Sequence, residues 1–348
     1  MRPQKWKNVM AREKTQPMSA LTRRQALAAA SSIMIGSSLG GFRPAFAQGA
    51  PLRWGSASLG STGYVIIEAL ASTVSRLSDV KGSSVATGGA VENMALIGRK
   101  EIDLGQTSSL EWPIAYAGGA PFKQKIEPVQ LLCYAIWSLH PIVRADSGIK
   151  TINDLVGKRI SPGPAGGNTA LLWKLIFTKA GLYDKVRWNF ASWRETDDGM
   201  KAGALDCIGS ILVDGRPSSI LNELESTVKV RPVVIESDLI KEVQKDQPGT
   251  ILHTITPDQW KTLDGPFATA AASGILGARP EISNDTGYTI VKTIYENADD
   301  IQKISKDLAM VRIDQATRFL LPGFPVNGGA AKYYKEKGVW RNELTERT

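Results

Sequence analysis

A glycine turn, a helix, an acidic residue and an apolar strand follow one another twice in this chain, and that repetition limits the folds open to it. The first copy is Ala86–Ser109, ATGGAVENMALIGRKEIDLGQTSS. Val91, Met94, Ala95 and Gly98 keep the i, i+3, i+4, i+7 spacing of a helix with one packed face. Thr87, Gly88 and Gly89 stand just before it, where a helix leaves its first backbone N–H groups without partners. Those donors and the positive end of the helix dipole suit an anionic or carbonyl oxygen. Glycine there lets a ligand approach the backbone closely. The second copy starts at Ser161, SPGPAGGNTALLWKLIFTKAGL, with Leu172, Leu175, Ile176 and Lys179 at helical spacing. Asn168 or Thr169 reads as its N-cap and Gly181 as its stop. Asp103-Leu104-Gly105 is then echoed by Asp206-Cys207-Ile208-Gly209, the strands ending in Thr107-Ser108-Ser109 and Val213-Asp214-Gly215. Two such units predict two α/β lobes whose strand C-termini and helix N-termini face one crevice. Neither turn is followed by Gly-Lys-Ser/Thr, and Gly55 to Gly63 fits no dinucleotide fingerprint, so no cofactor is expected.

The N-terminus reads as an address. Thr22-Arg23-Arg24-Gln25-Ala26-Leu27 opens a twin-arginine export signal, a small-residue apolar run follows to about Leu39, and Ala45-Phe46-Ala47 offers a cleavage site. The run is too short and too rich in Ser and Gly for a membrane anchor. A periplasmic protein cleaved after Ala47 is therefore expected, residues 1–47 being the signal peptide. Those residues hold eight of the Lys and Arg and a single acid, Glu13, so the chain beyond them is nearly neutral although the whole carries +8. Nucleic-acid binding loses its support, because phosphate recognition needs a clustered basic face.

Catalytic residue types are scarce. The two histidines, His140 and His253, and the two cysteines, Cys133 and Cys207, lack metal or redox spacing, and no Gly-x-Ser-x-Gly elbow is present. A metal site is not expected, nor is the chain expected to be an enzyme. His140 reads as structural and both cysteines as buried free thiols. Asp197-Asp198 and Asp299-Asp300 read as solvated helix faces.

The order of these segments resembles a known family. Ala86-Thr87-Gly88-Gly89-Ala90-Val91-Glu92-Asn93 with Asp103-Leu104-Gly105, and Val143 to Lys150 followed by Asp154-Leu155 and Gly157-Lys158-Arg159-Ile160, are similar to segments of the TAXI-type receptors of TRAP transporters. So are Asp285 to Ile301 and Gly329 to Gly338. The resemblance spans the chain beyond the signal. It implies a two-lobed type II periplasmic-binding-protein fold, with residues 51–139 and 275–348 as lobe one and 140–274 as lobe two. Leu131–Ile142 and Phe267–Leu276 would be the hinge strands. It further implies a monomeric receptor that captures a small organic acid or amino-acid-like ligand and delivers it to TRAP membrane subunits. The alternative partner is an ATP-driven importer, or the chain is a sensor. A secreted α/β enzyme is the more distant alternative.

Ligand contacts are expected where strand ends and helix starts converge. They are Ser61, Thr62 and Tyr64 in the first loop, Gly89, Ala90 and Val91 at a helix start, and Thr107 and Ser108 at a strand end. From lobe two they are Asn168, Thr169 and Asp214. Two helix N-termini favour a carboxylate, and Asp214 would suit an ammonium.

Overall fold

The computed structural model describes residues 50–347. The predicted export signal and its cleavage site lie outside them. Beginning at Leu52, the chain alternates strands and helices: β1 (Leu52–Gly55), α1 (Thr62–Leu77), β2 (Gly82–Val85), α2 (Ala90–Gly98), β3 (Leu104–Ser108) and α3 (Glu111–Ala117). It then enters a sixteen-residue strand, β4 (Val129–Arg144). The alternation resumes with β5 (Arg159–Ser161), α4 (Asn168–Lys179), β6 (Arg187–Trp188), α5 (Trp193–Lys201) and β7 (Cys207–Val213). After β8 (Arg216–Pro217), α6 (Ser219–Glu225), β9 (Val230–Pro232), α7 (Ser237–Asp246) and β10 (Ile251–Ile255), a second long strand, β11 (Phe267–Ala278), returns. The chain ends with α8 (Asn284–Glu296), α9 (Ala298–Ile304), β12 (Pro325–Val326), α10 (Gly328–Glu336) and β13 (Thr345–Glu346).

The strand order β2-β1-β3-β11-β4-β7-β5-β6 shows the repeat that the sequence announced. On one side β1 pairs in parallel with β2 and β3, and β11 runs antiparallel to β3. On the other, β5 pairs in parallel with β6 and β7, and β4 runs antiparallel to β7. Each half therefore borrows its antiparallel strand from one of the two long strands, which pair with each other in the middle. This is the two-lobed type II periplasmic-binding-protein arrangement, and Leu131–Ile142 and Phe267–Leu276 lie within its crossing strands. Both strands are buried almost end to end, as strands covered on both faces must be.

Two helices present a different face from the one their spacing suggested. In α2 the buried residues are Ala90, Asn93, Met94 and Ile97, while Val91 and Ala95 are half-exposed. The reason is Asn93, whose amide donates to the carbonyls of Gly55 (3.2 Å), Ser56 (2.7 Å) and Gln106 (2.9 Å). A buried polar side chain tying together two strand ends turns the helix by about one position. In α4 the buried stripe is Leu172, Trp173, Ile176 and Phe177, with the Trp173 indole donating to the Leu139 carbonyl at 3.1 Å. The N-cap of α4 is Gly167, without a side-chain cap, rather than Asn168 or Thr169, which already sit inside the helix. Gly181, at φ 66°, does end it.

Asp197 departs from the solvated face expected of it. It is 9% exposed, and burial pushes its carboxyl up to about 7, against the pull of Lys201. Asp198, Asp299 and Asp300 are exposed as expected. Both cysteines are buried and free. No helix among the described residues is long and apolar enough to cross a membrane.

Candidate functional site

The two glycine turns singled out in the sequence touch each other. The Gly166 carbonyl accepts from the backbone N–H groups of Val91 (3.1 Å) and Glu92 (3.3 Å), the first donors of α2. Gly89 holds φ 115°, and a Cβ built on it would stand 3.3 Å from the Gly167 Cα. The Glu92 carboxylate turns back to accept from Gly88 N–H at 2.7 Å. The α2 N-terminus read as an open oxyanion site is thus occupied by a carbonyl from the opposite half of the fold. Gly89 serves a close backbone approach, as expected of glycine, but the approaching group is protein.

Three further contacts join the halves. The Ser219 hydroxyl donates to Asp307 (3.1 Å), Gln247 Nε2 to the Leu110 carbonyl (2.8 Å), and the Ser109 hydroxyl to the Gly249 carbonyl (2.5 Å). Burial raises the Asp307 carboxyl above its ordinary range, and the Ser219 bonds partly oppose that.

Within this frame the expected ligand residues divide. Ser61 caps α1, its hydroxyl accepting from Tyr64 N–H at 3.3 Å, and Tyr64 is half-buried. Thr62 is 3% exposed and its hydroxyl has no partner among the described residues. Ala90 and Val91 stand at the junction just described, beside Gly89. Thr107 is committed to structure, donating to the Ile275 carbonyl (2.8 Å) and accepting from the Trp112 indole (3.0 Å). Ser108 donates its hydroxyl to the Glu111 carboxylate at 2.6 Å, and its backbone N–H goes to the same group. Asn168 and Thr169 are buried at the start of α4, and the Thr169 hydroxyl is unpaired among the described residues.

Asp214 stands in a backbone turn. With φ 51° it is the first residue of an Asp-Gly hairpin turn between β7 and β8, followed by Gly215 at φ 76°. Two positive φ angles are what such two-residue hairpins demand, and Asp-Gly supplies them. Its backbone N–H donates to the Ile136 carbonyl at 2.9 Å and its carbonyl accepts from Gln259 at 3.1 Å, while the side chain is exposed. The turn accounts for the backbone at this residue and leaves its carboxylate facing out.

Gln106 and Ser58 were not anticipated. Both carry a buried side-chain oxygen with no partner among the described residues, and the Gln106 side chain packs on Gly63, next to Thr62. Strand alternation held the missing signal. Residues 106 and 108 share one face of β3 and 107 takes the other, so Thr107 and Ser108 could not both face a ligand.

Histidine chemistry has little room. His140 is fully buried, with Nδ1 at 2.7 Å from the Thr269 hydroxyl and Nε2 at 2.8 Å from the Val233 carbonyl. Burial pushes it down to about 3. His253 Nδ1 lies 2.9 Å from the Ser138 hydroxyl.

Residues 54–338 match the model of a single family, described as NMT1-like. The chain belongs to the NMT1-like family. Solved structures similar to this NMT1-like chain include a putative L-cystine ABC transporter protein from Listeria monocytogenes, 14% identical, covering 74% of this chain and 95% of that one with a TM-score of 0.48. Another is the alkanesulfonate-binding protein from Xanthomonas axonopodis pv. citri bound to MOPS, 16% identical, covering 85% and 96% with a TM-score of 0.44.

Gly89→Ala tests the junction. Forcing a side chain into that φ region costs about 1–3 kcal/mol, and the clash falls on the opposite half. The variant should unfold at lower denaturant and show a larger radius in small-angle X-ray scattering. An unchanged radius would mean that the halves are not held together at this point in solution.

Proposed function

We propose that this chain is an extracytoplasmic solute-binding receptor that closes on a small molecule between its two lobes. The observation that carries the reading is the pair of repeated half-sheets, joined by two crossing strands and meeting at Gly88-Gly89 and Gly166-Gly167. Lobe one would comprise residues 51–139 and 275–348 and lobe two residues 140–274, so that β4 and β11 bend as the hinge. Solute residues are Ser61, Thr62, Tyr64, Asn168 and Thr169, together with Ser58 and Gln106. Gly89, Ala90 and Val91 form the closing edge. A ligand that favours the closed state by a few kcal/mol is enough to shift the population. No chemical step is invoked.

The membrane partner is placed first as an ATP-driven importer. The family matched is described as NMT1-like, which does not extend to the TAXI resemblance on which a TRAP permease rested, and the descriptions of similar folds name ABC transporters. A TRAP permease is the second reading, favoured by the order of the sequence segments. Export by the twin-arginine route, and a monomeric state, complete the proposal.

The test is native mass spectrometry of the exported protein, followed by extraction of what it holds. A small molecule released on unfolding and rebound without chemical change supports the receptor. Steady turnover of that molecule would replace it with the enzyme reading. Asp214→Asn should leave affinity for the released molecule within about twofold, because Asn also adopts the turn conformation. A loss near the 1.5–3 kcal/mol of a charged hydrogen bond would restore Asp214 to the ligand.

A further inference from the structure

Two neighbouring cavities open along the line where the halves meet. The first, about 270 Å³, is lined by Val91, Ile114 and Pro121 from one half and by Leu171, Lys174 and Leu175 of α4 from the other. Tyr183, Trp188 and Phe190 also line it. The second, about 550 Å³, shares Ile114, Lys174 and Leu175 with the first and reaches Gln247. Val91 donates its N–H to the Gly166 carbonyl, and Gln247 donates to the Leu110 carbonyl. The groove therefore runs from one contact between the halves to another.

Helix α4 shapes this groove by carrying two apolar edges. Leu172, Trp173, Ile176 and Phe177 are buried, which leaves Leu171 and Leu175, four residues apart, half-exposed with Lys174 between them. Trp188 and Phe190 stack with ring centroids 5.9 Å apart and planes 6° from parallel, yet Phe190 is 46% exposed. An open aromatic face beside aliphatic walls suits a ring-bearing ligand. Lys174 is the one charged residue lining the first cavity. In the second, the Asp246 carboxylate is already paired with Lys179 at 2.7 Å, and Lys174 is exposed and in no ion pair among the described residues. The start of α4, with Ala165 and Ala170 of the lining on either side, has no side-chain cap, so its positive end adds to the same sign. The cavity beside Gly60 differs. It measures about 120 Å³ and is lined by Arg194 and Lys201 as well as Asp197, Asp198 and Glu223, which favours neither sign.

We propose that the groove binds an aromatic monoacid, its ring against Trp188 and Phe190 and its carboxylate at the Lys174 ammonium. The site lies beside the cleft assigned to the solute and is separate from it. Its walls come from both halves, so an occupant holds them together; that effect alone rests on the receptor reading.

Benzoate, phenylacetate and indole-3-acetate are the probes. Benzamide and phenylacetamide are their neutral partners, and acetate and succinate are acids without a ring. Calorimetry on the exported protein should give saturable binding of the aromatic acids, about tenfold tighter than either control class. Lys174→Gln should weaken the aromatic acids about fivefold and leave the amides unchanged. Phe190→Ala should weaken acids and amides alike, by about fivefold. Both side chains are exposed, so the ligand-free variants should melt with the parent. Amides that bind as well as their acids would overturn the proposal. Acid binding that neither variant moves would place the acid in the solute cleft, and a protein that releases a solute on unfolding but takes no aromatic acid has no such groove site; both outcomes overturn the proposal and leave the receptor standing. The expected variant effects without a smaller radius in small-angle X-ray scattering would keep the site and count against closure. Elution as a dimer that Phe190→Ala separates would assign the groove to a second copy of the chain and overturn the proposal.

Discussion

Gly249→Ala is expected to cost about 3 kcal/mol of stability, a large share of what a domain has in hand. A Cβ at this position would collide with the Ser109 carbonyl oxygen and stand 2.5 Å from its carbon and 3.1 Å from the Leu110 nitrogen. These are backbone atoms of the other half of the fold, so no rotamer change can relieve them. The same spot carries the Ser109 hydroxyl bond to the Gly249 carbonyl and the Gln247 bond to Leu110. Relief by separating the backbones would break both. Chemical denaturation should show a lower midpoint, and Gly265→Ala is the control, because nothing lies within 4 Å of a Cβ there. That control should be neutral or gain a few tenths of a kcal/mol from reduced chain entropy. Equal midpoints for the two variants would mean that the backbones are not in contact at Gly249.

The repeat was legible because its parts obey local rules. Glycine turns, helix periodicity and an acid before an apolar strand recur at matching intervals, and β1–β3 and β5–β7 follow from them. The crossing strands were legible as long apolar runs, since both of their faces are covered. The short strands β8, β9, β12 and β13 left no such trace. Each spans two or three residues and exists because another segment offers a free edge, β7 to β8, β4 to β9 and β12, and β12 to β13, which is a tertiary fact.

The site was legible by region and less so by residue. The turns around Gly89 and Gly166 do meet, and the Thr62 loop is proposed to face them. What the sequence could not reveal was that one turn would fill the other's helix end, because Gly89 and Gly166 are distant in the chain and carry no side chains to signal pairing. The turn at Asp214 was not read from the sequence, where the charge of aspartate drew attention before the Asp-Gly pair that shapes the backbone. Gln106 was overlooked for the opposite reason, an uncharged side chain among small hydroxyls. Glu111 is buried although its type is almost always exposed, and only its spacing of three from Ser108 hinted at the bond between them.

Glu111 should make the protein less stable as pH rises through the weakly acidic range. The carboxyl is wholly buried, accepts from the Ser108 N–H and hydroxyl, and is pushed up by burial from 4.5 to about 7. Between those two values the folded protein holds a proton that the unfolded chain releases, so stability falls with pH. Below the lower value the penalty is absent, and above the upper it is complete, at about 3 kcal/mol. Asp197 contributes with the same sign, since burial raises it to about 7 as well. Glu111→Gln keeps an acceptor for Ser108 and removes the titration. Its unfolding free energy should therefore decline less than the parent's between pH 4.5 and 7, and it should be the more stable protein at pH 8. Asp197→Asn should flatten the profile in the same way and independently, since neither carboxyl is among the causes of the other's shift. Parallel profiles for parent and Glu111→Gln would mean that the carboxyl is hydrated or paired in solution, and the Ser108 end of β3 would then be open to water.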